Sequence, residues 1–392
     1  MMKNFIIQNK GAALIACLVC IIAGLIAWGC MIGMGLLETT DMSNIFNWGL
    51  LIAMFAFLVG FGAGCQIVSS WIVITNKEEL MPYLPICQAI SLGGVIGAAV
   101  AIMADLGHPW HILSMFTSPN IASPLVWDMI ALTAFIVVSL VCLIAIGRRW
   151  ASQRIWMWVG LVCALVLQVV EGMLFATMTS RAWWHSFIMP IDFVIVAVIC
   201  GLTIMCIISA ASKRQGSLEA AKEFAKLMFI FVIIHVCLSL IEVATLAFES
   251  TPGASMALSL IGSYVVLYIL ELGLALGAVI VLRMKIDKAT KRMVIICASL
   301  VVVAMFAHRL MLLYPAMGAG TLFTQLSNEA SPYWLYPTST GFMASAKETF
   351  ALTQSYIPSF AEWASLLMPL GFAGLIAIIG SNVVDAWLDV KD

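Results

Sequence analysis

Ten long apolar runs, separated by short polar or Pro/Gly-containing breaks, organise the 392-residue chain. They cover approximately residues 12–34, 47–74, 84–104, 125–147, 155–178, 190–211, 224–248, 257–282, 293–314 and 361–384. Each reaches the roughly 20 residues a helix needs to cross a hydrocarbon core. Lipid offers no partner for backbone N–H and C=O groups, so runs of this length are predicted to be helices, and none alternates like a barrel strand. The expected fold class is an all-α polytopic membrane protein with about ten transmembrane helices.

Composition agrees with this pattern. Apolar residues make up 63% of the chain and charged residues 10%, with a mean hydropathy of +1.08, whereas soluble domains carry about 25% charged residues. The lipid bilayer is therefore the first expected partner, and no nucleic acid is expected. With the N-terminus inside, the cytoplasmic segments collect Lys3 and Lys10, then Lys77, then Arg148, Arg149 and Arg154. Further along they collect Lys213, Arg214, Lys222 and Lys226, then Arg283, Lys285, Lys288, Lys291 and Arg292, and finally Lys391. The outer loops hold only Arg181 and Lys347, and Arg309 lies within a span. This asymmetry follows the positive-inside rule and predicts an even number of spans with both termini cytoplasmic. The segment Asp105–Pro124 then lies outside. The first run, Ala12–Met34, is longer than a signal-peptide core and reads as a retained span. The longest connection, Pro315–Phe360, leaves no room for an independent catalytic domain, so a bulky redox or hydrolytic domain would come from a partner.

All eleven cysteines lie in or at the edge of apolar runs, where Cys behaves as a small hydrophobe. Cys17-x-x-Cys20 has metal-ligand spacing, but no second pair lies nearby, so neither a metal nor an iron–sulfur cluster is expected in this chain.

Ionisable side chains inside spans are costly and point to function by default. The fifth run carries Gln168 and Glu171, the seventh His235 and Glu242, the eighth Glu271, and the ninth His308 and Arg309. Gln168 and Glu171 are three residues apart and His235 and Glu242 seven apart, so each pair shares one helix face. The plain structural reading is that such residues lock helices together. The functional reading is that His235, Glu242 and Glu271 form a proton path, with Glu171 and Arg309 near the outer surface and the Asp105 loop. His235 is expected near mid-membrane and His308 nearer the outside.

Asp105-Leu106-Gly107-His108-Pro109, followed by Ser123-Pro124-Leu125-Val126-Trp127, places polar, kinked backbone between two apolar runs. Together with Asn47-Trp48-Gly49-Leu50-Leu51-Ile52 and Phe57-Leu58-Val59-Gly60-Phe61-Gly62-Ala63-Gly64, it resembles the NrfD/PsrC family of polytopic quinone-reactive subunits. The first stretch is similar to that family's aspartate-leucine-glycine-arginine-proline turn and the second to its serine-proline helix start. Gly172, Trp184 and Pro190, then Arg309, extend the resemblance, which spans about residues 46–314. Tyr356-Ile357-Pro358-Ser359-Phe360 and Glu362 resemble the start of the last helix in ten-helix relatives such as the membrane subunits of periplasmic hydrogenases, the Qrc complex and alternative complex III.

The resemblance implies two four-helix bundles, here residues 47–178 with a quinone site and residues 179–314. Residues 1–46 and 315–392 would add a peripheral first and last helix. It implies electron exchange between menaquinone or ubiquinone and an extracytoplasmic, four-cluster ferredoxin-like iron–sulfur subunit. That subunit would commonly be joined to a molybdopterin or other periplasmic redox subunit, at the bacterial cytoplasmic (inner) membrane. The chain would be the anchor and quinone-reactive subunit rather than a catalyst alone.

Quinol oxidation releases two protons with two electrons, so its site needs hydrogen-bonding groups for the head-group oxygens and a titratable group. Asp105, His108 and Glu171 are the candidates for this chemistry, with Asn47 and Arg309 binding and Trp48, Trp110 and Trp127 flanking the ring. Belt aromatics and turn-shaping Gly107 and Pro109 are the structural counterparts of these readings. His108 and His111 are three apart, and their expected partners are water or headgroups rather than a metal. Two departures stand out: His108 replaces the family's arginine, and Val170 stands where many relatives have a tyrosine two residues before the fifth-helix glycine, leaving Glu171 as the candidate contact.

Three rival classes compete with this reading. A dihaem cytochrome b needs axial His pairs, and only His235 and His308 lie within spans, so no haem is expected. A proton-coupled secondary transporter would use the buried Glu and His, but no repeat of interrupted helices is visible. The third is an anchor whose quinone site has decayed, opposed by Asp105, Glu171 and Arg309.

Overall fold

The structure is a computed structural model that describes residues 10–43, 46–318 and 355–389, with the short segments 336–337 and 350–351. Lys3, Lys347 and Lys391, which contribute to the orientation above, and most of the Pro315–Phe360 connection lie outside the described residues. Among the described residues ten helices are long and apolar enough to cross a membrane, in agreement with the all-α polytopic expectation. They are α1 (Lys10–Met34), α2 (Leu50–Ile74), α3 (Leu84–Asp105), α4 (Pro124–Gly147), α5 (Gln153–Ala176), α6 (Met189–Ala211), α7 (Ser217–Glu249), α8 (Val265–Met284), α9 (Lys291–Met317) and α10 (Leu367–Asp389). The only strands among the described residues are Tyr336–Pro337 and Phe350–Ala351, which pair antiparallel.

Helix α2 is the hub, buried on nearly every side and packed against α3, α5, α6 and α9. Its glycines explain why. A Cβ at Gly64 would collide with the backbone of Ala197 and Gly201 on α6, and one at Gly94 of α3 would fall 2.8 Å from the amide nitrogen of Gly62. Small residues let these backbones meet, as in membrane bundles generally. Helix α4 packs on α5, α7 on α6 and α8, and α8 on α9, while α10 lies between α3 and α1.

Two expected spans are interrupted. The run 257–282 divides at Tyr264 (φ −105°, ψ 21°), which leaves a separate short helix Pro252–Ser263 before α8. The run 361–384 begins with a helix Phe360–Ser365 ahead of α10. Pro369, lacking an N–H, cannot donate to the Ser365 carbonyl, which accounts for the break.

Pro315 has the same effect within α9, freeing the Met311 carbonyl. The Trp183 indole donates to that carbonyl at 2.9 Å, the Trp184 indole to Leu312 O at 2.6 Å, and Arg181 to Ala316 O at 2.7 Å. Trp183 and Trp184 are buried, so they cap a helix end and are not part of an exposed aromatic belt.

The start of α10 is tied down by the tyrosine-proline-serine-glutamate stretch. Ser359 and Glu362 form a capping box. The Tyr356 hydroxyl donates to Glu362 and accepts from Leu50 N at 2.9 Å, while Asp41 accepts from Ile357 N at 2.7 Å. Phe46 stacks on Tyr356 with ring centroids 4.4 Å apart. This sequence motif therefore fixes the join between α2, α10 and the first connection.

Candidate functional site

Two groups of buried ionisable side chains lie in the half of the helices nearest Asp105. The first draws its side chains from α4, α5 and α9. Gln168 Nε2 donates to Glu171 Oε2 at 3.2 Å, one helical turn apart on α5. Asp128, in the early turns of α4, and Arg309 on α9 are within electrostatic reach of Glu171. The Arg309 guanidinium lies 4.1 Å from the centroid of Phe193 and next to Gly60, where a Cβ would stand 3.6 Å from Nη2, an ordinary contact distance. Gln168, Glu171, Asp128 and Arg309 are all buried. Asp128 Oδ1, Gln168 Oε1, Glu171 Oε1 and both terminal nitrogens of Arg309 have no hydrogen-bond partner. Buried polar atoms left unsatisfied cost about 1–3 kcal/mol each, so these groups call for a further partner, whether water or a ligand.

The second group is formed by α6, α7, α8 and α9. His235 Nδ1 lies 2.7 Å from Asp192 Oδ1, and His308 Nδ1 lies 2.9 Å from Glu271 Oε1. His308 Nε2 approaches Asp192 Oδ2 at 3.1 Å, and His235 Nε2 approaches Glu271 Oε1 at 3.4 Å. The two imidazoles are perpendicular, with centroids 4.7 Å apart. Helices α7 and α9 bring the two histidines against the same two carboxylates. A cavity of about 10 Å³ touches Asp192, Glu271, His308 and Glu242.

The remaining candidates are placed apart from one another. Asp105 ends α3, with a buried, unpartnered Oδ1 within electrostatic reach of Glu362. His108 is exposed at the start of the short helix Pro109–Leu113, and its ring lies 5.4 Å from that of His111. Trp110 is 77% and Trp127 51% exposed, so neither closes over Glu171; the Trp127 indole is used by Ile121 O at 2.9 Å. Asn47 is exposed. Trp48 packs between Phe175 and Trp184, at 6.1 and 5.9 Å. The structure brings together Glu171 with Arg309 and His235 with Glu271, and sets Glu242 beside the cavity shared with Glu271 and His308, but it joins neither Asp105 nor His108 to either set.

Sequence reasoning missed Asp128 and Asp192. Both are acids near the start of an apolar run, where a carboxylate reads as a helix-end residue; the signal was the rule that any acid within a span is suspect. It also missed an uncharged ladder in which Gln88 Nε2 donates to Gln66 Oε1 at 2.6 Å and to Ser139 Oγ at 3.1 Å. Ser139 in turn meets Ser91 at 3.2 Å.

Ten membrane-length helices among the described residues, with two groups of buried ionisable side chains, define an all-α polytopic membrane protein. The family model described as polysulphide reductase, NrfD, matches residues 38–319, and the chain belongs to the NrfD family. It is 30% identical over 243 residues to a putative dimethyl sulfoxide reductase membrane subunit of Halobacterium salinarum, covering 55% of this chain and 56% of that protein. It is 22% identical over 165 residues to the Hdr-like menaquinol oxidoreductase integral membrane subunit of Archaeoglobus fulgidus, covering 42% of each. It is 20% identical over 397 aligned positions to a selenate reductase subunit of Mesobacillus selenatarsenatis, covering 89% of this chain and 87% of that one. The alignments to the first two relatives span about half the length of each.

Proposed function

We propose that this chain is the quinone-reactive membrane subunit of a respiratory oxidoreductase complex, exchanging electrons between menaquinone or ubiquinone and an extracytoplasmic iron–sulfur subunit. Membership of the NrfD family supports this, as do relatives named as subunits of reductases and of a menaquinol oxidoreductase. The observation that carries it is the Glu171, Asp128, Gln168 and Arg309 group, buried yet rich in unused donors and acceptors. A quinol head group presents two oxygens that need such partners and two protons that need an acceptor.

In this reading the Glu171 carboxylate takes a proton from the bound quinol and Arg309 offsets the charge left nearby. Gln168 orients Glu171 through its 3.2 Å hydrogen bond. Electrons leave through the iron–sulfur partner at the Asp105 face, with a molybdopterin or other redox subunit beyond it, so the chain is not catalytic alone. The lysine and arginine distribution supports an inner-membrane orientation with both termini cytoplasmic. His235, Glu242 and Glu271, with Asp192 and His308, support a proton route coupled to the reaction. Glu271→Gln leaving proton uptake per electron unchanged would remove that route.

The test is to purify the tagged complex in mild detergent and assay iron, quinone and partner mass. Iron–sulfur absorbance that bleaches on adding a quinol analogue, and fails to bleach in Glu171→Gln, is the expected result. A chain that purifies with neither iron nor quinone would favour a proton-coupled carrier built on the His235 group.

A further inference from the structure

We infer that Asp192, His235, Glu271 and His308 form a binding site for a divalent first-row transition-metal ion. The observation is how the two histidines are held. Each Nδ1 is tied to a carboxylate, His235 to Asp192 at 2.7 Å and His308 to Glu271 at 2.9 Å. This is the outer-sphere arrangement that fixes a metal-binding imidazole with Nδ1–H bonded to a carboxylate and the Nε2 lone pair free. Both Nε2 atoms, and Glu271 Oε2, have no hydrogen-bond partner. Each Nε2 instead faces a carboxylate oxygen, at 3.1 Å for His308 and Asp192 and at 3.4 Å for His235 and Glu271. A lone pair facing an anionic oxygen calls for a positive charge between them, which either a second ring proton or a metal ion supplies.

The spacing suits an ion. Ligand atoms about 2.0–2.1 Å from a tetrahedral metal lie roughly 3.3 Å from one another, which the two facing contacts match. One donor atom from each of Asp192, His235 and His308 falls within 4.8 Å of the other two, and Glu271 Oε1 meets both rings, at 2.9 Å from His308 and 3.4 Å from His235. Two imidazoles with two carboxylates suit Zn²⁺, Fe²⁺ or Mn²⁺ better than a soft or an all-oxygen ion.

Burial and access are both provided. The side chains of His235 and Glu271 are at most 1% exposed, while His308 retains 12% and Asp192 7%. The cavity of about 10 Å³ beside them, lined also by Glu242, Ser239 and Tyr268, has room for one water-sized body. A bound ion and a proton compete for the same lone pairs, so metal site and proton route are alternative uses of one quartet. Metal binding depends on neither the quinone reading nor the proton reading.

The experiment uses the full-length chain in detergent, stripped with a chelator, loaded with Zn²⁺ and passed into metal-free buffer before elemental analysis. The expected result is about one Zn²⁺ retained per chain, with affinity at least tenfold weaker in His235→Ala and in His308→Ala. His108→Ala, in the exposed pair with His111, leaves retention unchanged. Loading with Co²⁺ gives visible ligand-field bands without thiolate charge transfer, which separates this site from the eleven cysteines. If His235→Ala fails to fold, His308→Gln, which keeps side-chain bulk and an amide donor, replaces it. Failure of the parent chain to retain Zn²⁺, equal retention in the histidine variants, or thiolate bands in the Co²⁺ spectrum would each overturn the site.

Discussion

Two sets of buried polar groups in this bundle differ in kind. Among α2, α3 and α4 the Gln66, Gln88, Ser91 and Ser139 ladder is uncharged and joined by hydrogen bonds of 2.6–3.2 Å. Among α6, α7, α8 and α9 the Asp192, His235, Glu271 and His308 quartet is titratable throughout, with nitrogen and oxygen atoms left unused. A neutral ladder contributes modestly and locks register, since a net hydrogen bond stabilises by about 0.5–1.5 kcal/mol. Buried charges carry several kcal/mol of desolvation per ion and gain little over well-packed apolar residues. The first arrangement is what holding helices together requires, whereas the second needs a further reason to exist.

The sharpest way to test this contrast is to remove one member of each set. His235→Ala strands Asp192 and Glu271 in the core and should lower stability by about 3–5 kcal/mol, read by unfolding of the purified chain in detergent. A loss below about 1 kcal/mol would mean that the quartet is solvated and not a buried charge system.

Next in size is the effect on turnover. Glu171→Gln should slow quinol oxidation by about 100-fold or more, the range for loss of a positioned base, with unchanged complex assembly. Trp110→Phe, at a side chain 77% exposed, should leave the rate unaltered in the same assay. Equal effects of the two would place the reaction at the Asp105 loop instead.

Gln88→Leu should cost about 1–3 kcal/mol because Gln66 Oε1 loses its donor, while the Gln66→Leu/Gln88→Leu pair should recover most of that loss. A double-mutant cycle measures it, and strictly additive losses would show that the ladder acts as more than a lock.

The smallest expected effect concerns Asp41, half-buried in the connection outside the spans. Burial raises its pKa, opposed in part by the hydrogen bond from Ile357 N. The folded protein then holds this proton more tightly than the unfolded chain, so the contribution is fully present below the ordinary carboxyl pKa and is lost as pH rises through the raised value. Asp41→Asn keeps an acceptor for Ile357 and should flatten the slope of melting temperature against pH on the acid side. A slope of opposite sign would show that the Ile357 hydrogen bond outweighs burial.

Much of this molecule was legible in the chain. Apolar length fixed the ten spans, because the bilayer demands it of any sequence, and the order of the Asp105, Gly172 and Arg309 motifs pointed to the family. Charge inside a span singled out Glu171, His235, Glu242, Glu271 and Arg309 one at a time. What the chain could not declare was company. Asp192 and His308 stand 116 positions apart in the numbering, and only the packing of α6 against α9 sets them 3.1 Å from each other. Trp183 reads as an interfacial aromatic until Pro315, on another helix, leaves the Met311 carbonyl for its indole to meet. Hydropathy is a property of each segment and is therefore written in the sequence. Which buried polar atoms find partners, and which stay unused, depends on helices meeting across the bundle, and only the tertiary structure decides that.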